Sequence, residues 1–326
     1  MMNADGSGAH EIDDSSRGYA FMPEWSQDGT KIAFTRIGYV SGTPSPDLTY
    51  ADLVSAVVVD ESGRELTSVP SGFLPHWSPD STRISFLANF AAHDYGNFWL
   101  ADPSILTLAS GAITTVTTQI RALDSPRWSP DGSMLAYFGQ TEGVYVAAGD
   151  GGAPSRIFGG QSNTGYAALS WIDDGALVMS EISDVEGTPK YVVIDVAGGA
   201  TTELSADGVF GCIGRDIAPG DGQEFSVANG QEFVWSLPCA KPPGIREVSN
   251  AASFPSHDMT TPIALSRLSV SPDGERMVGS EGGSVLYLGS TPPSAINSPS
   301  GVWIIKLNSG ATEKIGNIGR DPAWRP

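Results

Sequence analysis

Apolar and polar residues alternate along this chain in one recurring order. A short apolar stretch ends at a Trp, a polar turn follows, and a second apolar stretch begins: PEWSQDGTKIAF at 23–34, PHWSPDSTRISF at 75–86, PRWSPDGSMLAY at 126–137 and LSWIDDGALVMSE at 169–181. Runs of four to eight alternating or wholly apolar residues bounded by Gly, Pro and Asp predict strands joined by tight turns. In the turn, Pro presets φ, Asp bonds the backbone ahead of it and Gly tolerates positive φ. A third apolar run then follows in each unit: SAVVVD at 55–60, NFWLAD at 97–102, GVYVAA at 143–148, KYVVID at 190–195, EFVWSL at 232–237 and GVWIIKL at 301–307. A Gly-bearing turn leads to a fourth, more polar run such as GRELTSV, GATTEL or GATEKI. Each unit therefore predicts four consecutive strands, A to D.

Weaker copies are RDIAPGDGQEFSVA at 215–228 and LSVSPDGERMVGS at 268–280, and the chain stops at GRDPAWRP. The centres Trp25, Trp77, Trp128, Trp171, Ala218, Val270 and Trp324 lie 52, 51, 43, 47, 52 and 54 residues apart. A period near 50 with four strands per unit is that of β-propeller blades, so the expected fold class is all-β, a propeller of four-stranded antiparallel blades forming one domain over 1–326. Residues 1–12, MMNADGSGAHEI, match the end of a C strand, its turn and a D strand, while DPAWRP matches an A strand. Six complete blades plus one closed jointly by the two ends make seven, which removes exposed edges. No B strand is found for the shared blade, so a start upstream of Met1 or a ring of six is the alternative. All eight Trp fall in A or C strands on this reading, where large planar side chains pack stacked sheets.

P-x-W-S-P-D-G-x-x-I-A-F followed by M-N-A-D-G-S-G resembles the repeat of the TolB-like, WD40-like (PD40) β-propellers. The resemblance is carried by Pro23–Phe34, Pro75–Phe86, Pro126–Tyr137, Ser271–Gly274 and Met2–Gly8 and runs over nearly the whole chain. It implies a periplasmic or extracellular place and a ring used as a protein-interaction platform. Related rings occur as the propeller of prolyl-oligopeptidase-type enzymes and in oligogalacturonate lyase. The Gly-His and Trp-Asp dipeptides of true WD40 repeats are absent, and the adjacent Asp-Gly pairs do not fit sialidase Asp boxes.

Charge and composition narrow the function. With 18 Lys and Arg against 37 Asp and Glu, the formal charge is −19, which argues against nucleic acid or an anionic membrane as partner. No run of apolar residues is long enough for a membrane helix. Cys212 and Cys239 offer no zinc site, and their predicted places at opposite ends of strands two apart are too distant for a disulfide. No nucleophile elbow, zinc-binding His pair, phosphate loop or EF-hand loop is present, so no metal or cofactor is expected.

Candidate site residues come from the loops and strand starts of one rim. His93 and Tyr95 lie in the B-to-C loop of the second blade, and His257 in the connection 249–266. Arg121 and Asp124, Arg215 and Asp216, Arg267, and Arg320 and Asp321 precede A strands and are expected to converge on the channel mouth. They would form interblade salt bridges or, through the guanidinium fork, grip a carboxylate. The insertions 37–53 and 281–301 fall on the same rim, and loops of that length are often functional. His76, next to Trp77, is expected to be a hydrogen-bonded structural residue. The reading drawn from these residues is a monomeric, non-catalytic scaffold binding a protein or peptide on the rim of B-to-C and D-to-A loops. The alternative is a lyase or hydrolase acting on an acidic saccharide at the channel mouth.

Overall fold

A computed structural model describes the chain except residues 2–6, 39–51, 93–98, 122–125, 140–142, 161–163, 184–188, 205–224, 229–231, 238–243, 249–256, 261–264, 271–275, 282–301, 307–310, 317–324 and positions 9, 14, 119 and 326. The first sheet holds β1 (Tyr19–Trp25), β2 (Lys31–Ile37), β3 (Val54–Asp60) and β4 (Glu65–Pro70). The second holds β5 (Phe73–Trp77), β6 (Arg83–Ala92), β7 (Trp99–Thr107) and β8 (Ala112–Thr115), with β9 (Ile120–Arg121) also paired to β7. Next come β10 (Arg127–Trp128), β11 (Met134–Phe138), β12 (Val144–Ala148) and β13 (Ser155–Phe158). The fourth sheet is β14 (Thr164–Asp173), β15 (Ala176–Ser183), β16 (Pro189–Asp195) and β17 (Thr201–Leu204). The fifth comprises β18 (Phe225–Ala228), β19 (Glu232–Leu237), β20 (Gly244–Val248) and β21 (His257–Thr260). The last is β22 (Leu265–Val270), β23 (Arg276–Glu281), β24 (Val302–Lys306) and β25 (Thr312–Gly316).

The chain is thus an all-β propeller of antiparallel blades, each running in sequence order from first strand to last. Among the described residues there are five four-stranded sheets and one of five strands, so the expected count of seven is not reached. The A strand expected to close a shared blade falls in 317–324, outside the described residues. At the other end, His10 N bonds Met1 O (2.8 Å) and the Met1 amino group bonds His10 O (2.5 Å), as a C-to-D hairpin requires.

In the fifth sheet the A strand expected around Ala218 falls in 205–224, outside the described residues. Among the described strands EFVWSL follows Phe225–Ala228, and His257–Thr260 comes last, a strand that the sequence reading did not expect. This unit lacks both the Trp and the Ser-Pro-Asp-Gly turn, so nothing local anchors its register.

The turns behave as the residue types require. Ser26 Oγ donates to Asp28 (2.6 Å) and accepts from Lys31 N (3.0 Å), while Asp28 also accepts from Thr30 N (3.0 Å). Ser78 with Asp80 and Ser129 with Asp131 repeat this network residue for residue. Burial opposes ionisation of Asp28, yet the bonds from Ser26, Thr30 and Lys31 hold its carboxyl far below the ordinary carboxylate range. Asp131 is lowered chiefly by Ser129 and Ser133. In the C-to-D turn of the first sheet, Ser62 and Arg64 draw Asp60 down to about 2.

Adjacent sheets are joined by their tryptophans. Trp77 Nε1 donates to Glu24 O (3.0 Å), Trp128 Nε1 to His76 O (3.3 Å) and Trp171 Nε1 to Arg127 O (2.8 Å). Each indole thus bonds the residue just before the Trp of the preceding sheet. Lys31 lies over the Trp77 ring at 6.0 Å and Arg83 over Trp128 at 4.5 Å, so the cation that opens each second strand covers the next Trp. At the following joint Met134 packs against the cluster containing Trp171 instead. The turns are cross-linked too, by Asp28 N to Ser81 Oγ (3.0 Å) and Asp131 N to Asp174 Oδ1 (2.9 Å).

Candidate functional site

The inner strands set what faces the channel, and a shared irregularity orders them. Pairing of first and second strands skips two residues between Phe21 and Glu24, Phe73 and His76, Ala167 and Ser170, and Ser266 and Ser269. Met22 and Leu74 take φ of 53° and 51° in these bulges, a left-handed conformation that costs L-residues roughly 1–2 kcal/mol. The strain is offset by packing of both side chains against one large apolar cluster and by Leu74 N bonding the buried Thr35 Oγ1 at 2.9 Å.

Two levels follow from this register. The first is the bulge, occupied by Met22, Leu74, Ala168 and Arg267 in four sheets. The second is the position before each Trp or its counterpart: Glu24, His76, Arg127, Ser170 and Ser269. At this level His76 Nδ1 bonds Glu24 Oε2, and Trp77 N donates to Glu24 Oε1 (3.2 Å). His76 is hydrogen-bonded, as expected, but its partner was not recognised from sequence. The signal was available: Glu24 and His76 stand one repeat, 52 residues, apart at the same offset from their Trp.

The expected site residues are placed as follows. Arg267 lies in the inner strand β22, inside its bulge. Arg121 lies in β9, whose partner is Leu100 on β7, not at the start of an inner strand. The physical reason is that β7 is much longer than β8, and Ile120–Arg121 satisfies the edge that β8 leaves open. His257 is in the fourth strand β21 opposite Glu247, not in a rim connection. His93, Tyr95, Asp124, Arg215, Asp216, Arg320 and Asp321 lie outside the described residues, as do both Cys and most of the two insertions.

Charge elsewhere is gathered on the first sheet. Arg36, almost fully buried, binds Asp13 through two nitrogens and Glu65 at 3.0 Å, and Arg17 joins Glu65. Burial opposes the charge on Arg36, but Asp13 and then Glu65 raise its pKa; Glu65 is lowered by Arg17 and Arg36 against its own desolvation. This cluster fastens the segment leading into β1. Arg325 also comes to this sheet, pairing with Glu61 (2.9 Å) and lying over Trp25 at 5.1 Å. In the third sheet the buried Tyr137 stacks on Tyr145 at 5.9 Å, and burial, with Tyr145, pushes its phenol up to about 12. Among the described residues no three His, Cys, Asp or Glu converge as a metal site, and no helix is long and apolar enough to cross a membrane.

Comparison with known proteins places this architecture. The fold is that of TolB-like propellers: TolB from Acinetobacter baumannii superposes with a TM-score of 0.54 at 17% identity, over 91% of this chain and 67% of that one. No family model matches the chain. Oligogalacturonate lyase in complex with manganese gives a TM-score of 0.59 at 14% identity, over 93% of this chain and 78% of the lyase. In sequence, the uncharacterised peptidase YuxL of Bacillus subtilis is 28% identical over 131 residues, which are 38% of this chain and 19% of the peptidase. The chain therefore matches only about a fifth of that relative's length. These likenesses overturn the expectation of a non-catalytic scaffold, since the sequence relative is a peptidase and a lyase shares the fold.

Proposed function

We propose that this propeller works in catalysis, as the substrate-handling ring of a peptidase-type hydrolase. The observation that carries the reading is the 28% identity over 131 residues to the peptidase YuxL. The 326 residues contain no G-x-S-x-G elbow, so on this reading the nucleophile is supplied from outside them. The ring's part is to admit the substrate and hold its charged end. Arg267 of the inner strand β22, with Arg215 and Arg320, supplies forks for a substrate carboxylate, and Asp124, Asp216 and Asp321 take its amine. His93 and Tyr95 belong to the same proposed substrate-contacting set.

The test uses the whole translation product that contains this chain. It is incubated with a fluorophosphonate probe and with aminoacyl and N-blocked peptide p-nitroanilides. A labelled Ser outside residues 1–326 and release of p-nitroaniline are expected. An unlabelled protein that hydrolyses none of the panel overturns the reading.

A second reading, a lyase acting on an acidic saccharide, is favoured by the 78% of oligogalacturonate lyase that this chain covers. β-Elimination needs a base and a neutralised carboxylate rather than a nucleophile elbow, which suits a ring with Arg at its mouth. Unsaturated uronate appearing from polygalacturonate with Mn²⁺ supports it, and none appearing removes it. Either reading carries a monomeric single domain over 1–326, acting outside the cytoplasm. It also carries a ring closed by a seventh, composite blade. Three contacts support that closure: the Met1–His10 hairpin, Ile12 packed on the Trp25 cluster, and Arg325 over Trp25 as Lys31 lies over Trp77.

A further inference from the structure

Glu24 and His76 lie on neighbouring inner strands, and their side chains keep 35% and 20% of their surface open. β5 pairs with β6 along one edge and packs against β1 and β10 of the neighbouring sheets, which leaves its other edge to the channel. An ionised carboxylate only accepts, so His76 Nδ1 carries the hydrogen in its bond to Glu24 Oε2, and Trp77 N holds the other oxygen at 3.2 Å. The backbone of His76 is also fixed, its carbonyl accepting from Trp128 Nε1 (3.3 Å) and Ser85 Oγ (3.4 Å). What remains is Nε2, which has no hydrogen-bond partner among the described residues and carries a lone pair. A carboxylate that fixes the tautomer and orientation of an imidazole is the arrangement by which an unbonded Nε2 takes up protons.

We propose that Glu24 and His76 form a proton-transfer site on the channel wall, serving a ligand that presents a hydroxyl or a bound water. Nε2 of neutral His76 accepts the hydrogen bond and, in turnover, the proton. The imidazolium so formed is stabilised by Glu24, and the proton returns from Nε2 to the leaving group of the same reaction. On the strands packed around the pair, Arg36 of β2 is taken by Asp13 and Glu65, and Asp60 of β3 by Arg64. Glu24 of β1 is the partner; Lys31 of β2 is drawn over the Trp77 ring and to Asp28 (3.1 Å); Arg83 of β6 is turned to Trp128 and Gly149 O (2.6 Å). Arg127 of β10 stands at the same level one strand on. The inference rests on the catalytic reading for its use in turnover, but the state of the imidazole is measured without any substrate.

With four His in the chain, ¹⁵N-His labelling resolves His76 by its loss in His76→Gln. At pH 8 the native protein is expected to show hydrogen on Nδ1 and a bare Nε2, and Glu24→Ala to transfer the hydrogen to Nε2 in most molecules. Glu24→Gln, which keeps an acceptor for Trp77 N, guards against a folding defect. Hydrogen on Nε2 in the native protein, or a tautomer indifferent to Glu24, overturns the proposal. Where the assays above find turnover, His76→Gln should lower kcat by about 10²–10⁴-fold with KM little changed. Full kcat in that variant defeats this proposal and leaves the enzyme reading standing. A correct tautomer in a protein that turns over nothing defeats the enzyme reading and leaves the oriented imidazole.

Discussion

The first four sheets and the last two are built from the same repeat, but only the first four carry a Trp at its centre. From the first to the fourth, each joint has an indole bonded to the preceding sheet's backbone, and the first two joints also have a cation over the ring. In the fifth sheet the counterpart of the Trp was expected at Ala218, and in the sixth it is Val270, paired with Met277. Valine gives neither an N–H to donate nor a π face to cover. What the contrast teaches is that the four-strand order survives loss of the Trp and of its indole donor.

Trp128 is buried, bonds His76 O and lies under Arg83. Trp128→Ala is expected to cost about 3–5 kcal/mol in chemical denaturation, and an unchanged midpoint removes its place in the core. Within the turns, Ser78→Ala deletes the acceptor of Arg83 N and the donor to Asp80. It should lower stability by about 1–2 kcal/mol, measured in the same titration. Arg325→Ala removes an exposed cation over Trp25 and its pair with Glu61; a loss of about 0.5–1 kcal/mol is expected, shrinking in high salt if the ion pair dominates.

The smallest effect is the contribution of each turn Asp to acid sensitivity. Folding depresses the pKa of Asp28, Asp80 and Asp131 below the reference 3.8, so their contribution is complete above that value and drains away as pH falls through the folded pKa. Melting temperature should therefore fall progressively below about pH 4, and Asp131→Asn should make that slope shallower. A slope identical to that of the parent protein contradicts the assignment.

Legibility in the sequence followed the same divide. The strands around Trp25, Trp77 and Trp128 were readable because Ser and Asp fix their turns through contacts within five residues, and after Trp171 the turn is held by Gly175 N donating to Asp173. In the fifth unit the strand His257–Thr260 was taken for part of a connection, because no Gly-bearing turn or apolar run marks it. Arg121 was expected just before an inner strand because its nearest sequence landmark is the PRW that follows; its actual partner, Leu100, is set by the length of a different hairpin. The Glu24–His76 pair was missed because the residues were weighed within their own units, although the repeat itself makes them neighbours.

The indole-to-carbonyl joint has a direction, since every donor points back to the preceding sheet. A segment running from one Trp to the residue before the next therefore carries a donor at its head and an acceptor at its tail. A second copy of residues 77–127 spliced after the first would meet the same chemistry at both seams. The ring is modular in the sense a builder would want: its circumference can be lengthened by duplication without a new interface having to be invented.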